Sequence, residues 1–166
     1  MLKVSSRGHY GLRLMTELAR SAGQGPLSLT EVARSESLPL PYLEQLVVPL
    51  RRAGLVEGTR GLHGGYQLAR PAAEMTVGDI LRVLEGPVSL VDCTAAEYVS
   101  GGCERDSACF SAGLWQKIKL SVEVILDGTT LSDLLTDPGF QPVSPHVPAH
   151  LEPLPIAGRA ATPVAG

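Results

Sequence analysis

Residues 28–69 read as two short amphipathic helices separated by a brief turn and followed by a hairpin with a glycine-rich tip, an order that few folds accommodate. Ser28 and Glu31 form a capping box ahead of Leu29, Val32 and Ala33, which predicts a short helix, and SESLP then breaks it. Pro41, favoured in a first helical turn, opens the next helix, with Tyr42, Leu43, Leu46, Val47 and Leu50 at helical spacing and Gly54 as its stop. Pro49 predicts a kink or an early end there, because it lacks an N–H and crowds the preceding turn. In LVEGTRGLHGGYQLAR, strand-like pieces at 55–57 and 66–69 flank a loop, and the stretch holds four glycines. A first helix at 8–22, with Gly11, Leu14, Met15, Leu18 and Ala22 on one face, completes the order of a winged helix-turn-helix. The expected fold class is mainly α with a small β-hairpin wing.

Beyond the hairpin, Thr76 and Asp79 cap a helix that carries Val77, Ile80, Leu81 and Leu84 and ends at Gly86-Pro87. A long helix at 113–126 presents Leu114, Ile118, Val122 and Ile125 as one stripe, and Thr130 with Asp133 caps a last short helix ending near Leu135. Charge divides the chain. Its net of −3 argues, as an average, against a nucleic-acid partner, yet residues 1–70 hold nine Lys and Arg against five Asp and Glu. Residues 71–137 hold four against eleven. The expected organisation is a DNA-binding domain at 1–70, an effector and dimerisation region at 71–136, and a Pro-rich, poorly ordered tail at 137–166, whose last 29 residues contain seven of the 13 prolines. No apolar run reaches membrane-spanning length and the first residues lack a signal peptide's apolar core, so a cytoplasmic location and no membrane partner are expected.

In a helix-turn-helix the second helix lies in the major groove, where Tyr42, Glu44 and Gln45 would meet base edges. Gln pairs in bidentate fashion with adenine and Glu accepts from cytosine. Arg51 and Arg52 would contact phosphates, and Arg60, on the wing, phosphates or the minor groove. The plainer alternative is a solvated first turn beside a solubilising basic face. Cys93, Cys103 and Cys109 are spaced by nine and five residues. Soft sulfur ligands in a loop suit a metal or an iron-sulfur cluster, but the gaps do not match CxxC knuckles, and buried or redox-active thiols are the alternative. No HExxH, paired carboxylates or nucleophile elbow is found, so an enzyme is not expected; residues 61–65 are not a Walker motif.

SSRGHYGLRLMTELA, LPYLEQLVVPLRRAGLVEGTRGLHGGYQLARP, MTVGDILRVLEGP and the block from CERDSACF to SAGLW together resemble the IscR-type family of bacterial winged helix-turn-helix transcriptional regulators. That group holds the iron-sulfur regulator IscR, the nitric-oxide sensor NsrR and the cysteine-metabolism repressor CymR. The resemblance covers about residues 1–135 and implies a homodimeric repressor on a pseudo-palindromic operator of double-stranded DNA, with helix 113–126 pairing across the dimer. It implies that Tyr42, Glu44 and Gln45 belong to the recognition helix, that Arg60 is the wing residue, and that Cys93, Cys103 and Cys109 hold an iron-sulfur cluster, two-iron rather than four-iron.

Some positions depart from the pattern. Pro41 stands where the family often has a Ser, Ala112 where IscR places a His ligand, and the first cysteine gap is longer than in many relatives. His9, near a position that supplies a ligand from the partner subunit in the nitric-oxide sensor, is a candidate fourth ligand or a phosphate contact; Glu104 and Asp106 are further candidates. HYGLRLMTELA, EQLVVPLRRAGLV and GDILRVLEGP are most similar to the CymR branch, which works without a cluster and senses a partner enzyme. The alternative to cluster control is therefore a cluster-free regulator of cysteine or sulfur metabolism that senses thiol oxidation or a partner enzyme.

Overall fold

A computed structural model describes residues 4–61, 64–95, 97–99, 102–103 and 109–136. The expected tail at 137–166, and with it His146 and His150, lies outside the described residues, as do His63, Glu104 and Asp106. Among the described residues, six α-helices and one hairpin follow in the order α1 (Ser6–Arg20), α2 (Leu29–Ser35), α3 (Leu40–Arg52), β1 (Val56–Thr59), β2 (Gly65–Leu68), α4 (Val77–Glu85), α5 (Ala112–Gly128) and α6 (Leu131–Thr136).

Local chemistry starts most of these helices. The capping boxes form at Ser28 with Glu31 and at Thr76 with Asp79, each satisfying two backbone N–H groups that a helix start leaves unpaired. Thr130 and Asp133 exchange the same pair of bonds at the head of α6. The start of α1 lies two residues before the expected one, because Ser5 caps it and the Glu85 carboxylate of α4 accepts from Gly8 N at 2.6 Å and from the Ser5 hydroxyl. That second cap comes from 77 residues away and leaves no local signature.

Pro49 does not end α3, which runs on to Arg52. Pro49 frees only the Gln45 carbonyl, and Gln45 is on the exposed face, where water replaces the lost donor. The last turn is held by Ala53 N donating to Pro49 O at 3.0 Å and by fully buried Leu50.

Leu14, Met15 and Leu18 of α1, Val32 of α2, and Leu43, Leu46, Val47 and Leu50 of α3 form one core with Leu55 and Val56. Met75, Ile80 and Leu84, together with Leu131 of α6, share it, so elements beyond residue 70 close the same apolar interior. Gly11 lets α1 and α4 approach closely: a Cβ there would strike the Leu84 side chain. The chain returns beside α4 through Val77 N to Thr129 O at 2.8 Å and Leu131 N to Met75 O at 2.9 Å.

In contrast, none of the 17 residues of α5 is buried. It is tethered by Arg82 to Asp127 at 2.6 Å and by Lys119 Nζ donating to Thr94 O at 2.8 Å. Leu114, Leu120, Val124 and Ile125 remain exposed along it.

Candidate nucleic-acid interface and cysteine segment

The periodicity of α3 sorts its side chains by face. Leu43, Leu46, Val47 and Leu50 point into the core, and Pro41, Glu44, Gln45, Val48, Arg51 and Arg52 point out. Tyr42 is half-buried, its ring edge-on to Tyr10 of α1 with centroids 5.6 Å apart. Glu44 and Gln45 are therefore free to meet a ligand, while the Tyr42 ring also braces α3 against α1.

The turn between α2 and α3 is fixed from outside the motif. Ser37 adopts a left-handed backbone, φ 52°, and Leu38 N donates back to Ala33 O at 3.0 Å. Arg13 of α1 reaches the adjoining residue, with Nε 2.8 Å from the Glu36 carboxylate and Nη2 donating to the Glu36 carbonyl. Arg20 adds a second cation 3.9 Å from Glu36. Sequence reasoning missed this anchor, since Arg13 and Glu36 lie 23 residues apart and each looks like an ordinary surface charge.

The wing forms as β1 pairs antiparallel with β2 in the register Val56↔Leu68 to Thr59↔Gly65, shifted by one or two residues from the expected strand limits. A further bridge, Leu27↔Tyr66, ties it to the chain entering α2. This contact explains one glycine of the tip: a Cβ on Gly65 would lie 2.6 Å from the Leu27 carbonyl carbon and oxygen. Arg60 is exposed just past β1.

Arginines divide by pairing. Arg13, Arg20, Arg70 and Arg82 engage carboxylates. Arg51, Arg52 and Arg60, like Arg7 and Arg34, form no ion pair among the described residues, so the outer face of α3, which also carries Glu44, and the base of the wing tip present cations without a carboxylate partner.

Cys93 and Cys109 are half-buried, Cys103 is exposed, and none is in a disulfide. Cys93 sits in the short 3-10 turn Asp92–Thr94, whose Thr94 carbonyl accepts from Lys119 of α5; the Cys109 thiol lies 3.3 Å from the Ser111 hydroxyl. Among the described residues, no three His, Cys, Asp or Glu side chains stand together as a metal ion requires. His9 is exposed on α1, tilted against Tyr10, and Ala112, which opens α5, offers no donor. Among the described residues, then, the three thiols are not gathered as a closed iron-sulfur site requires, and no fourth ligand stands with them.

A helical core carrying a hairpin wing, with an exposed second helix and unpaired arginines beside it, defines a winged helix-turn-helix, the class of DNA-binding transcriptional regulators. Residues 4–137 match the family model described as Rrf2, Iron-dependent Transcriptional regulator, and the chain belongs to that family. It is 46% identical over 133 residues to the HTH-type transcriptional regulator CymR of Bacillus subtilis, covering 80% of this chain and 89% of that one. The solved structure of that protein, titled the Global Cysteine Regulator, superimposes with a TM-score of 0.68 over 82% of this chain and 98% of that one. The HTH-type transcriptional regulator IscR of Aliivibrio salmonicida is 34% identical over 86% of this chain and 83% of its own length. A solved T. potens IscR is 43% identical, with a TM-score of 0.67 over 82% of this chain and 88% of that one. All are regulators of transcription, and no described helix is long and apolar enough to cross a membrane.

Proposed function

We propose that the chain is a cytoplasmic homodimeric repressor that binds a pseudo-palindromic operator and controls genes of cysteine or sulfur metabolism. The observation that carries DNA reading is the exposed face of α3 with three arginines beside it that have no carboxylate partner among the described residues. Glu44 and Gln45 contact base edges, the Tyr42 hydroxyl adds a contact at the helix start, Arg51 and Arg52 bind phosphates, and Arg60 enters the minor groove. The apolar residues of α5, none of them buried, pair with α5 of a second copy, since so much exposed apolar surface on one helix marks an interface. Similarity to a regulator titled for cysteine supports the metabolic assignment. In this reading the effector acts on the cysteine segment, by oxidation of Cys93, Cys103 or Cys109 or by a partner enzyme, and Lys119 passes the change from the Cys93 turn to α5. Gel-shift titration of the full chain against upstream DNA of its host's sulfur genes, reduced and oxidised, tests this; equal affinity for unrelated DNA would overturn it.

A second reading is favoured by the family description and the similarity to IscR: Cys93, Cys103 and Cys109 supply three ligands to a two-iron, two-sulfur cluster, with His9 of the partner subunit a candidate for the fourth. It requires the cysteine segment to draw together around the cluster. Iron and acid-labile sulfide assays after anaerobic reconstitution separate the readings: a colourless, iron-free protein supports the first, and stoichiometric iron and sulfide the second.

A further inference from the structure

We infer that Val48 reads the methyl group of a thymine in the major groove. The inference rests on the proposal that α3 is the recognition helix and adds a base-specific residue to it. Among the described residues of α1–α4 and the wing, Val48 is the one large apolar side chain left exposed, at 45%. The core stripe of α3 does not use it: Val47, its neighbour, is 3% exposed and Leu50 0%.

Its surroundings on the helix surface are polar. Residues three and four apart are neighbours on a helix, so Val48 is bordered by Glu44 and Gln45 on one side and by Arg51 and Arg52 on the other. It also lines a groove of about 430 Å³ between α3 and the wing, shared with Val47, Arg51, Arg52 and Tyr66. An apolar protein partner would have to cover these cations without compensation. Duplex DNA supplies both complements at once, phosphates for the arginines and the C5 methyl of thymine, the one apolar group among the major-groove base edges.

The spacing fits. Three residues advance about 4.5 Å along a helix, against about 3.4 Å per base step, so Val48 meets a base pair one or two steps from the one facing Gln45. Valine holds a single favoured side-chain rotamer in a helix, which presents its two methyl groups in a fixed direction.

Selection of binding sites from a random duplex library with the full-length wild-type chain yields the probe. Each thymine of the selected site is then replaced by deoxyuridine, which removes only the methyl group. One thymine per half-site is expected to cost about fourfold in affinity when demethylated, the weight of one buried methyl-sized group. Val48→Ser is expected to bring the ratio of affinities for the thymine and deoxyuridine duplexes to about one, while Val48→Thr, which keeps one methyl, retains part of the difference. Wild type insensitive to every such replacement, or Val48→Ser weakening both duplexes equally, overturns the inference. Failure to enrich any sequence instead overturns the assignment of α3 as a recognition helix.

Discussion

Arg13 of α1 binds Glu36 twice, through the carboxylate at 2.8 Å and through the backbone carbonyl, and so fastens the turn between α2 and α3 to the body of the domain. The pair is half-shielded, with side-chain exposures of 35% and 18%. Arg13→Ala is expected to cost about 1 kcal/mol of stability, the net worth of a charge-assisted hydrogen bond discounted for solvent. Its effect on DNA affinity should be larger, because α3 loses its orientation. Arg13→Lys keeps the charge but loses the forked geometry and should recover little. Thermal unfolding and gel-shift titration of both variants check this; a loss of stability with unchanged DNA binding would disprove the positioning role.

Gly65 abuts the backbone at Leu27, where a Cβ would intrude at 2.6 Å. Gly65→Ala therefore forces the wing away from α2 and is expected to destabilise by about 1–3 kcal/mol, the usual range for overpacking. Hydrogen exchange at Tyr66 N, which donates to Leu27 O at 2.8 Å, should accelerate in this variant before the core amides do.

Neither Arg51 nor Arg60 has a carboxylate partner among the described residues, but the two are assigned different targets. Arg51→Ala should weaken binding to all sequences alike and lower the slope of log affinity against log salt by about one. Arg60→Ala should weaken binding and change preference at one operator position. Titrations at several salt concentrations on a panel of single-base operator variants distinguish the two, and unaltered binding in both variants would mean that the DNA-facing surface lies elsewhere.

Asp127 is held below its ordinary carboxylate value of 3.8 by the hydrogen bond from Arg82, and Thr130 lowers Asp133 in the same way. The folded chain binds these protons more weakly than the unfolded one. The resulting stability is present above about pH 4 and is lost as the pH falls through the lowered values. Asp127→Asn should lower the melting temperature slightly at pH 7, as an exposed ion pair is worth under about 1 kcal/mol. The melting curves of the variant and wild type should converge toward pH 2–3; a constant offset down to that pH would exclude the Arg82 pair as the origin.

Much of the winged helix was legible because its signals are local. The boxes at Ser28 and Thr76 act over three residues, and the exposed face of α3 follows from helical period alone. Pro49 shows where a local rule was outweighed: Leu50 is fully buried beyond it, and burial of that turn outweighs one missing hydrogen bond whose carbonyl faces water. At the start of α1 two signals act together: the Ser5 cap is local, within three residues, whereas the Glu85 carboxylate that joins it comes from a distant helix. The cysteine spacing suggested a metal site, but spacing does not say whether thiols converge, and among the described residues they do not gather.

By itself, then, the sequence determined the order of elements, the basic character of residues 1–70 and the residue types that face outward on α3, all set by neighbours within about one helical turn. Only the tertiary structure decided which arginines are neutralised and which stay free, how the helix-turn-helix is pinned to α1, and that α5 lies bare of any core. Those outcomes depend on pairings such as Arg13 with Glu36 and Arg82 with Asp127, 23 and 45 residues apart, which chain folding brings together and periodicity does not record.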